Sequence, residues 1–313
     1  MVLDTQTKQL LDEMAAGGRF VDGLPPLPDY RKAAEEIMIS LAVPSSEIDS
    51  VENVRLTGGT VLVRRYVPND ITDAENPAIL FAHGGGWALG TLDGYDSFCR
   101  RLAKQSGMQV FSVEYRLAPE HPFPAGLNDV IEAYKALRLD AQTYNIDRDR
   151  ILLCGDSAGG NLVAATCEHL STTDIPMPAG LAMIYPMTDV SGQTDYPSRR
   201  LFGTGEYFLE EAMIDWSTEQ YLTDKQDRHN PLVSPVLSDN LGLYPKTLII
   251  TAGYDPLRDE GIAFYDRMVK AGGQATHVNF ETTIHAFLSF DRVLPVAEKA
   301  RDVLIEHLKS MAA

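Results

Sequence analysis

Ile151-Leu152-Leu153-Cys154 run without a break into Gly155-Asp156-Ser157-Ala158-Gly159-Gly160-Asn161, and no other stretch restricts the fold as much. Four apolar residues read as a buried strand. Gly155, Ser157 and Gly159 form a Gly-x-Ser-x-Gly turn, and Leu162-Val163-Ala164-Ala165 continues with helical character. Strand, sharp turn and helix is the setting in which this pentapeptide presents a serine hydroxyl at the end of a sheet. Glycines flank the serine because side chains there would collide with the neighbouring elements. A glycine-rich turn with an incidental serine is the competing reading, and the remainder of the chain decides between them.

In chain order, residues 4–16 place Leu10, Leu11, Met14 and Ala15 on one helical face, and a second helical segment covers about 30–41. Gly23-Leu24-Pro25-Pro26-Leu27-Pro28 breaks the two apart. Val51–Leu56 and Val61–Val67 alternate apolar and polar residues around Thr57-Gly58-Gly59-Thr60, which predicts an antiparallel hairpin. Strands follow at Ala78–Ala82, Val110–Val113, Ile151–Cys154, Leu181–Tyr185, Thr247–Thr251 and His277–Phe280. Helices separate them at about 94–106 and 126–139, after the serine, between the last two strands and from about 295 to 311. This alternation predicts an α/β fold, with an eight-stranded, mostly parallel sheet covered on both faces by helices. Roughly 60 residues separate Tyr185 from Thr247, far more than a crossover needs, so this insertion reads as a lid or binding segment. It contains a helical run at about 209–222. The expected organisation is one domain over 1–313. A helical cap comes from about 1–48 and the insertion 187–240, and the core from about 49–186 and 241–313.

Composition narrows the candidate partners. The chain has 313 residues, with 27 Lys+Arg against 44 Asp+Glu, for a net charge of −17. Such a field repels phosphate backbones and anionic headgroups, which argues against nucleic acid and against stable membrane association. The cysteines Cys99, Cys154 and Cys167 have no CxxC spacing, and an odd number does not suit a disulfide framework. The N-terminal residues lack a basic and apolar leader, and no apolar run approaches the length of a membrane span, so a cytoplasmic protein is expected. The histidines are scattered without His-x-x-x-His spacing, so no metal is expected.

A serine hydroxyl is a weak nucleophile at neutral pH. It needs a histidine base, and the histidine needs a carboxylate to fix its tautomer. In a parallel sheet these groups come from loops at the carboxyl ends of strands. Asp255 follows the strand at Thr247–Thr251, and His285 follows the strand at His277–Phe280, so the chain order is Ser157, Asp255, His285. Asp259 lies one turn into the next helix and reads as a cap or surface residue. His277, His307 and His169 fall within regular elements, and His121 and His229 in loops without a matching strand end. A tetrahedral oxyanion needs backbone donors, and His83-Gly84-Gly85-Gly86 follow the third strand; Gly85, Gly86 and Ala158 would supply them. His83 reads as a buttress of that loop. The triple glycine matches neither a Gly-Lys-Ser/Thr nor a G-x-G-x-x-G phosphate cradle.

Taken together, His83-Gly84-Gly85-Gly86-Trp87, Tyr115-Arg116-Leu117-Ala118-Pro119-Glu120, Gly155-Asp156-Ser157-Ala158-Gly159-Gly160, Asp255-Pro256-Leu257-Arg258-Asp259 and His285-Ala286-Phe287 resemble the hormone-sensitive-lipase-like, bacterial family IV type carboxylesterases of the α/β-hydrolase fold. The resemblance runs from about residue 78 to the C-terminus. It implies carboxylesterase activity without a cofactor, a cap of N-terminal helices plus an insertion, and a homodimer paired through the last strand. It also supports the roles given above to Ser157, Asp255, His285, Gly85, Gly86 and Ala158. Trp87, Tyr185, Phe208 and Phe287 are then candidates to line the acyl pocket. The expected reaction is hydrolysis of small, short-acyl esters through an acyl-enzyme on Ser157, failing at acid pH as His285 takes up a proton. An amide or formamide hydrolase would use the same triad, and a non-catalytic small-ligand receptor is the remote alternative.

Overall fold

The fold follows from one run of apolar strands. In a computed structural model of the chain, residues 2–16, 25–58, 61–69, 71 and 75–313 are described. The strands β1 (Ser50–Arg55), β2 (Leu62–Val67), β3 (Asn76–Ala82), β4 (Gln109–Val113), β5 (Ile146–Asp156), β6 (Gly180–Ile184), β7 (Thr247–Tyr254) and β8 (Ala275–Ile284) form an 8-stranded sheet in the order β1-β2-β4-β3-β5-β6-β7-β8. The first hairpin pairs antiparallel, β2 joins β4 antiparallel, and every later pairing is parallel. Strands β4, β6 and β7 are buried at every position. Continuous apolarity is what burial on both faces demands.

The helices are α1 (Thr5–Ala16), α2 (Leu27–Leu41), α3 (Asp96–Ser106), α4 (Ala125–Leu139), α5 (Ala158–Ser171), α6 (Pro197–Phe202), α7 (Glu211–Tyr221), α8 (Arg258–Lys270) and α9 (Val296–Ala312). α4, α5 and α8 belong to a core on one face of the sheet with Leu80, Leu153 and Met183, whereas α3 and α9 belong to the other with Phe81, Leu152 and Ile184. Alternate residues of each strand thus serve opposite layers, and β5, at the centre, carries Ser157 out at its end.

Some boundaries differ from the sequence reading. β5 begins at Ile146 rather than Ile151, because Ile146 pairs with Asn76 across a register shift in β3. β8 continues to Ile284 rather than ending near Phe280, so His285 leaves the strand directly. Leu27 and Pro28 open α2 instead of breaking the chain; proline is tolerated in a first helical turn, where its missing N–H has no partner to lose. Gly23, Leu24, Gly59 and Thr60 lie outside the described residues. The insertion divides in two. α7 walls the cavity that holds Ser157, while α6 packs on α8 and the stretch after Leu222 packs beside α5 and α8, with Asn161 Nδ2 donating to the Met187 and Val233 carbonyls at 3.0 and 2.8 Å. Among the described residues, no helix is long and apolar enough to cross a membrane.

Phe264 on α8 has no exposed surface and stands beside the Tyr244 ring at 6.1 Å. Phe264→Ala is expected to lower the unfolding free energy by about 3–5 kcal/mol, read from the guanidinium midpoint at an unchanged slope.

Candidate active site

Ser157 occupies a backbone conformation that a side chain rarely adopts, with φ 52° and ψ −119°. Its surroundings hold it there. Ser157 N donates to the Ile184 carbonyl at 2.9 Å, and the Ser157 carbonyl accepts from Asn161 N and Met187 N at 3.1 and 3.2 Å. A Cβ on Gly155 would lie 2.4 Å from the Gly159 carbonyl oxygen, and one on Gly159 only 2.0 Å from that of Ala82. Glycine is required at both positions by contact, independent of φ. The same closeness seats the start of α5 directly on the loop that leaves β3.

Three side chains named from the sequence converge. His285 Nε2 lies 3.0 Å from Ser157 Oγ, and His285 Nδ1 lies 2.8 Å from Asp255 Oδ2. Asp255 is fully buried, and its other oxygen accepts from Leu257 N at 2.8 Å. Chemistry assigns the protons: Nδ1–H donates to the carboxylate and Nε2 accepts from the serine hydroxyl. Asp259, one turn on, instead accepts from Ser198 N at 2.8 Å and Arg258 Nε at 2.8 Å, fastening α6 to α8. His277 Nε2 lies 2.8 Å from Thr251 Oγ1, between neighbouring strands, His229 Nδ1 lies 3.0 Å from Gln193 Nε2, and His307 Nδ1 lies 2.8 Å from the Val303 carbonyl oxygen.

Gly85 and Gly86 lie in a tight turn with φ of 117° and 57°. Its closure is made by Ala88 N and Leu89 N, which donate to the Gly85 carbonyl at 3.2 and 2.8 Å. Among the described residues no hydrogen bond is made by the N–H groups of Gly85, Gly86 or Ala158, and these three residues share a cavity wall with Ser157 and His285. Ala158 also opens α5, whose N-terminal end favours negative charge. His83 is a buttress in geometry: its ring stacks between Tyr95 and Tyr115, and its Nδ1 lies 2.8 Å from the Gly84 carbonyl oxygen. Burial pushes His83 down to about 4, against a smaller opposite pull from the Gly84 carbonyl.

Asp156 has a part that the sequence reading did not assign. Its buried carboxylate accepts from Gly84 N at 2.7 Å and the Tyr95 hydroxyl at 2.9 Å, joining the serine turn to the glycine turn. Burial raises its pKa to about 6, with the Tyr95 and Gly84 hydrogen bonds opposing. A carboxylate next to Ser157 in sequence was the available signal; its partner, a backbone N–H, leaves no trace in sequence. Another missed group is Glu260, which is fully buried and paired with Arg199 Nη2 of α6 at 2.5 Å. Burial pushes Glu260 up to about 7, and Arg199 pulls the other way.

The cavity has a volume of about 780 Å³ and is walled by α1, α2, α7 and the residues before α7, with the serine at its floor. Phe208 lines it. Trp87, Tyr185 and Phe287 do not, which corrects the expectation for these three. Trp87 stacks flat on Tyr221 at 4.4 Å and 1% exposure. Tyr185 lies behind the base, its ring 4.8 Å from that of His285, and Phe287 packs on Tyr185 and Phe280. Aromatic residues beside strand ends point into the core here. The cavity surface comes from cap residues such as Met14, Met38, Met213 and Trp216.

The His83 environment has a measurable sign. Its pKa falls from about 6.5 to about 4 on folding, so protonation favours the unfolded chain. The stability that neutral His83 contributes is complete above pH 6.5 and is lost as pH drops toward 4. Urea midpoints of the wild type and His83→Asn should therefore differ most at neutral pH and converge on acidification.

The geometry agrees with what the chain is similar to. The family model for the alpha/beta hydrolase fold matches residues 79–289. Ethyl acetate hydrolase of Pseudomonas putida is 32% identical over 90% of this chain and 89% of its own length. The carboxylic ester hydrolase LipN of Mycobacterium tuberculosis is 37% identical over 79% of this chain and 67% of its own. An ester hydrolase from the metagenome of Lake Arreo, solved with a bipyridine phosphonate derivative, superposes with a TM-score of 0.93 at 37% identity and 99% coverage of both chains. The chain belongs to the α/β-hydrolase-fold family and, within it, to the hormone-sensitive-lipase-like carboxylic ester hydrolases.

Proposed function

We propose that the protein hydrolyses short-acyl carboxylic esters through an acyl-enzyme on Ser157. The observation that carries this reading is the unbroken chain from Ser157 Oγ to His285 Nε2 at 3.0 Å and from His285 Nδ1 to Asp255 Oδ2 at 2.8 Å, at the floor of an apolar cavity. Ser157 Oγ attacks the ester carbonyl as His285 Nε2 takes its proton. The carbonyl π electrons move to oxygen, where the N–H groups of Gly85, Gly86 and Ala158 and the end of α5 receive the charge. His285 then protonates the departing alcohol, and the C–O bond to it breaks. Water, deprotonated by the same nitrogen, attacks the acyl-serine and restores the hydroxyl. Asp255 stays ionised and holds the imidazole in the tautomer that both half-reactions need.

The cavity supports an ester substrate, because α1, α2 and α7 wall a largely apolar space over the serine. Ser157→Ala is expected to lower kcat/KM on aryl acetates by at least about 10⁴-fold. Full retained turnover would return the protein to the ligand-receptor reading. A kcat/KM series over 4-nitrophenyl esters from acetyl to dodecanoyl should peak at the short end. A long-chain peak would reject the acyl preference, and anilide turnover rivalling the esters would favour an amide hydrolase.

The sheet edge supports a homodimer. β8 is an outer strand, Asp4 N donates to the Thr282 carbonyl, and among the described residues His277–Phe280 pair with β7 alone. Light scattering should report twice the chain mass, and a charged substitution at Val278 should halve it.

A further inference from the structure

The turn that presents Gly85 and Gly86 is strained beyond its glycines. Trp87 continues it with φ 59°, in the region that side chains avoid. Such a turn keeps its shape only where its surroundings fix it from several sides. The core supplies two of these: Asp156 holds Gly84 N at 2.7 Å, and Tyr221 lies flat under the Trp87 indole at 4.4 Å.

The third side comes from α2, in the N-terminal part of the cap. Arg31 Nε donates to the Ala88 carbonyl at 2.8 Å, and Arg31 Nη2 donates to the Ala118 carbonyl at 2.9 Å. Ala118 N itself donates to the Trp87 carbonyl at 2.9 Å. Arg31 therefore ties together the two chain segments that meet at Trp87. Glu120 accepts from Nη1 and Nη2 at 2.8 and 2.7 Å. One helical turn further along α2, Glu35 accepts from Thr91 Oγ1 at 2.5 Å. Residues 88 and 91, just beyond the glycine turn, are thus gripped by two residues on one face of α2. An ammonium could not replace Arg31, since separate carbonyls and a carboxylate in one plane require the guanidinium fork.

We propose that Arg31 is a positioning residue for the oxyanion turn, so that helix α2 is part of the apparatus that aims the Gly85 and Gly86 N–H groups as well as part of the cavity roof. The inference rests on the esterase reading above. The simpler account is a surface ion pair that merely pins α2 to the loop after β4. Glu120 is half exposed, its side chain at 52%, and such pairs contribute little. The two accounts diverge on which Arg31 bond matters. In the first it is the bond to the Ala88 carbonyl; in the second it is the bond to Glu120.

The experiment uses the full chain as Arg31→Met, Arg31→Lys and Glu120→Gln, with 4-nitrophenyl butyrate as substrate and an alkyl trifluoromethyl ketone as probe. The ketone carbon bonds to Ser157 Oγ, the serine proton passes to His285, and the carbonyl π pair becomes an alkoxide in the oxyanion position. Its affinity therefore reads the N–H donors directly. Both Arg31 variants should lose about 10- to 100-fold in kcat and a similar factor in ketone affinity, with KM within about twofold. Glu120→Gln should stay within about threefold of wild type in all three quantities, because surface ion pairs contribute so little. Ketone affinity that does not follow kcat would overturn the proposal, as would Arg31 variants within threefold of wild type. Glu120→Gln losses equal to those of Arg31→Lys would assign the effect to the ion pair and overturn it too. If Arg31→Met does not fold, Arg31→Lys decides alone. The Ser157→Ala assay tests the esterase reading separately, so the two ideas fail on different measurements.

Discussion

The active centre depends on one close approach. The backbone of Gly159 lies against the Ala82 and His83 carbonyls, where even a methyl group would be 2.0 Å from an oxygen. Because no side chain intervenes, the first turn of α5 and the end of β3 share a surface, and the loops they carry face the same point. Ser157 arrives from one and the triple glycine from the other. The serine's left-handed backbone costs about 1–3 kcal/mol, offset by the hydrogen bonds that Ile184, Met187 and Asn161 make with it. Substituting Gly159 would push Ser157 away from the Gly84–Gly86 turn without touching either.

Around that contact the chain places buried acids as fasteners. Asp255 fixes the imidazole, Asp156 fixes Gly84, and Glu260 fixes Arg199 on α6. Glu168 on α5 joins them by accepting from Ser238, Asn240 and Tyr244 in the stretch after α7. A buried carboxylate is costly in isolation, and each of these has two or more donors. The acidity of the chain thus has two populations. Most of the excess is exposed and solvating. A few interior acids bind segments that regular secondary structure does not reach.

What was legible in the sequence was whatever sits next to an apolar strand. Ser157, Asp255 and His285 each follow one within a few residues, and the parallel sheet brings those ends together. The eight strands were readable for the same reason. Trp87, Tyr185 and Phe287 were not, because an aromatic beside a strand end can turn toward the core or toward a cavity with the same neighbours in sequence. Trp87 turns onto Tyr221, and no local pattern announces a partner so far along the chain. Asp156 and Arg31 escaped for a different reason. Their partners are the backbone of Gly84 and of Ala88, and main-chain groups carry no sequence signature. The short α6 lacks the length over which a helical period can be recognised.

The contact between residues 4–7 and β8 ties an N-terminal segment to the strand that leads into His285. Among the described residues β8 has only β7 as a strand neighbour, and it delivers His285. Near that delivery point, Asp4 N donates to the Thr282 carbonyl at 3.0 Å, and the Thr7 hydroxyl meets that of Thr283 at 3.3 Å. Residues 4–7 thereby act as a splint for the end of β8 just before His285. Substitutions at Asp4 or Thr7, far from Ser157 in sequence, would alter contacts of Thr282 and Thr283, which lead directly into His285.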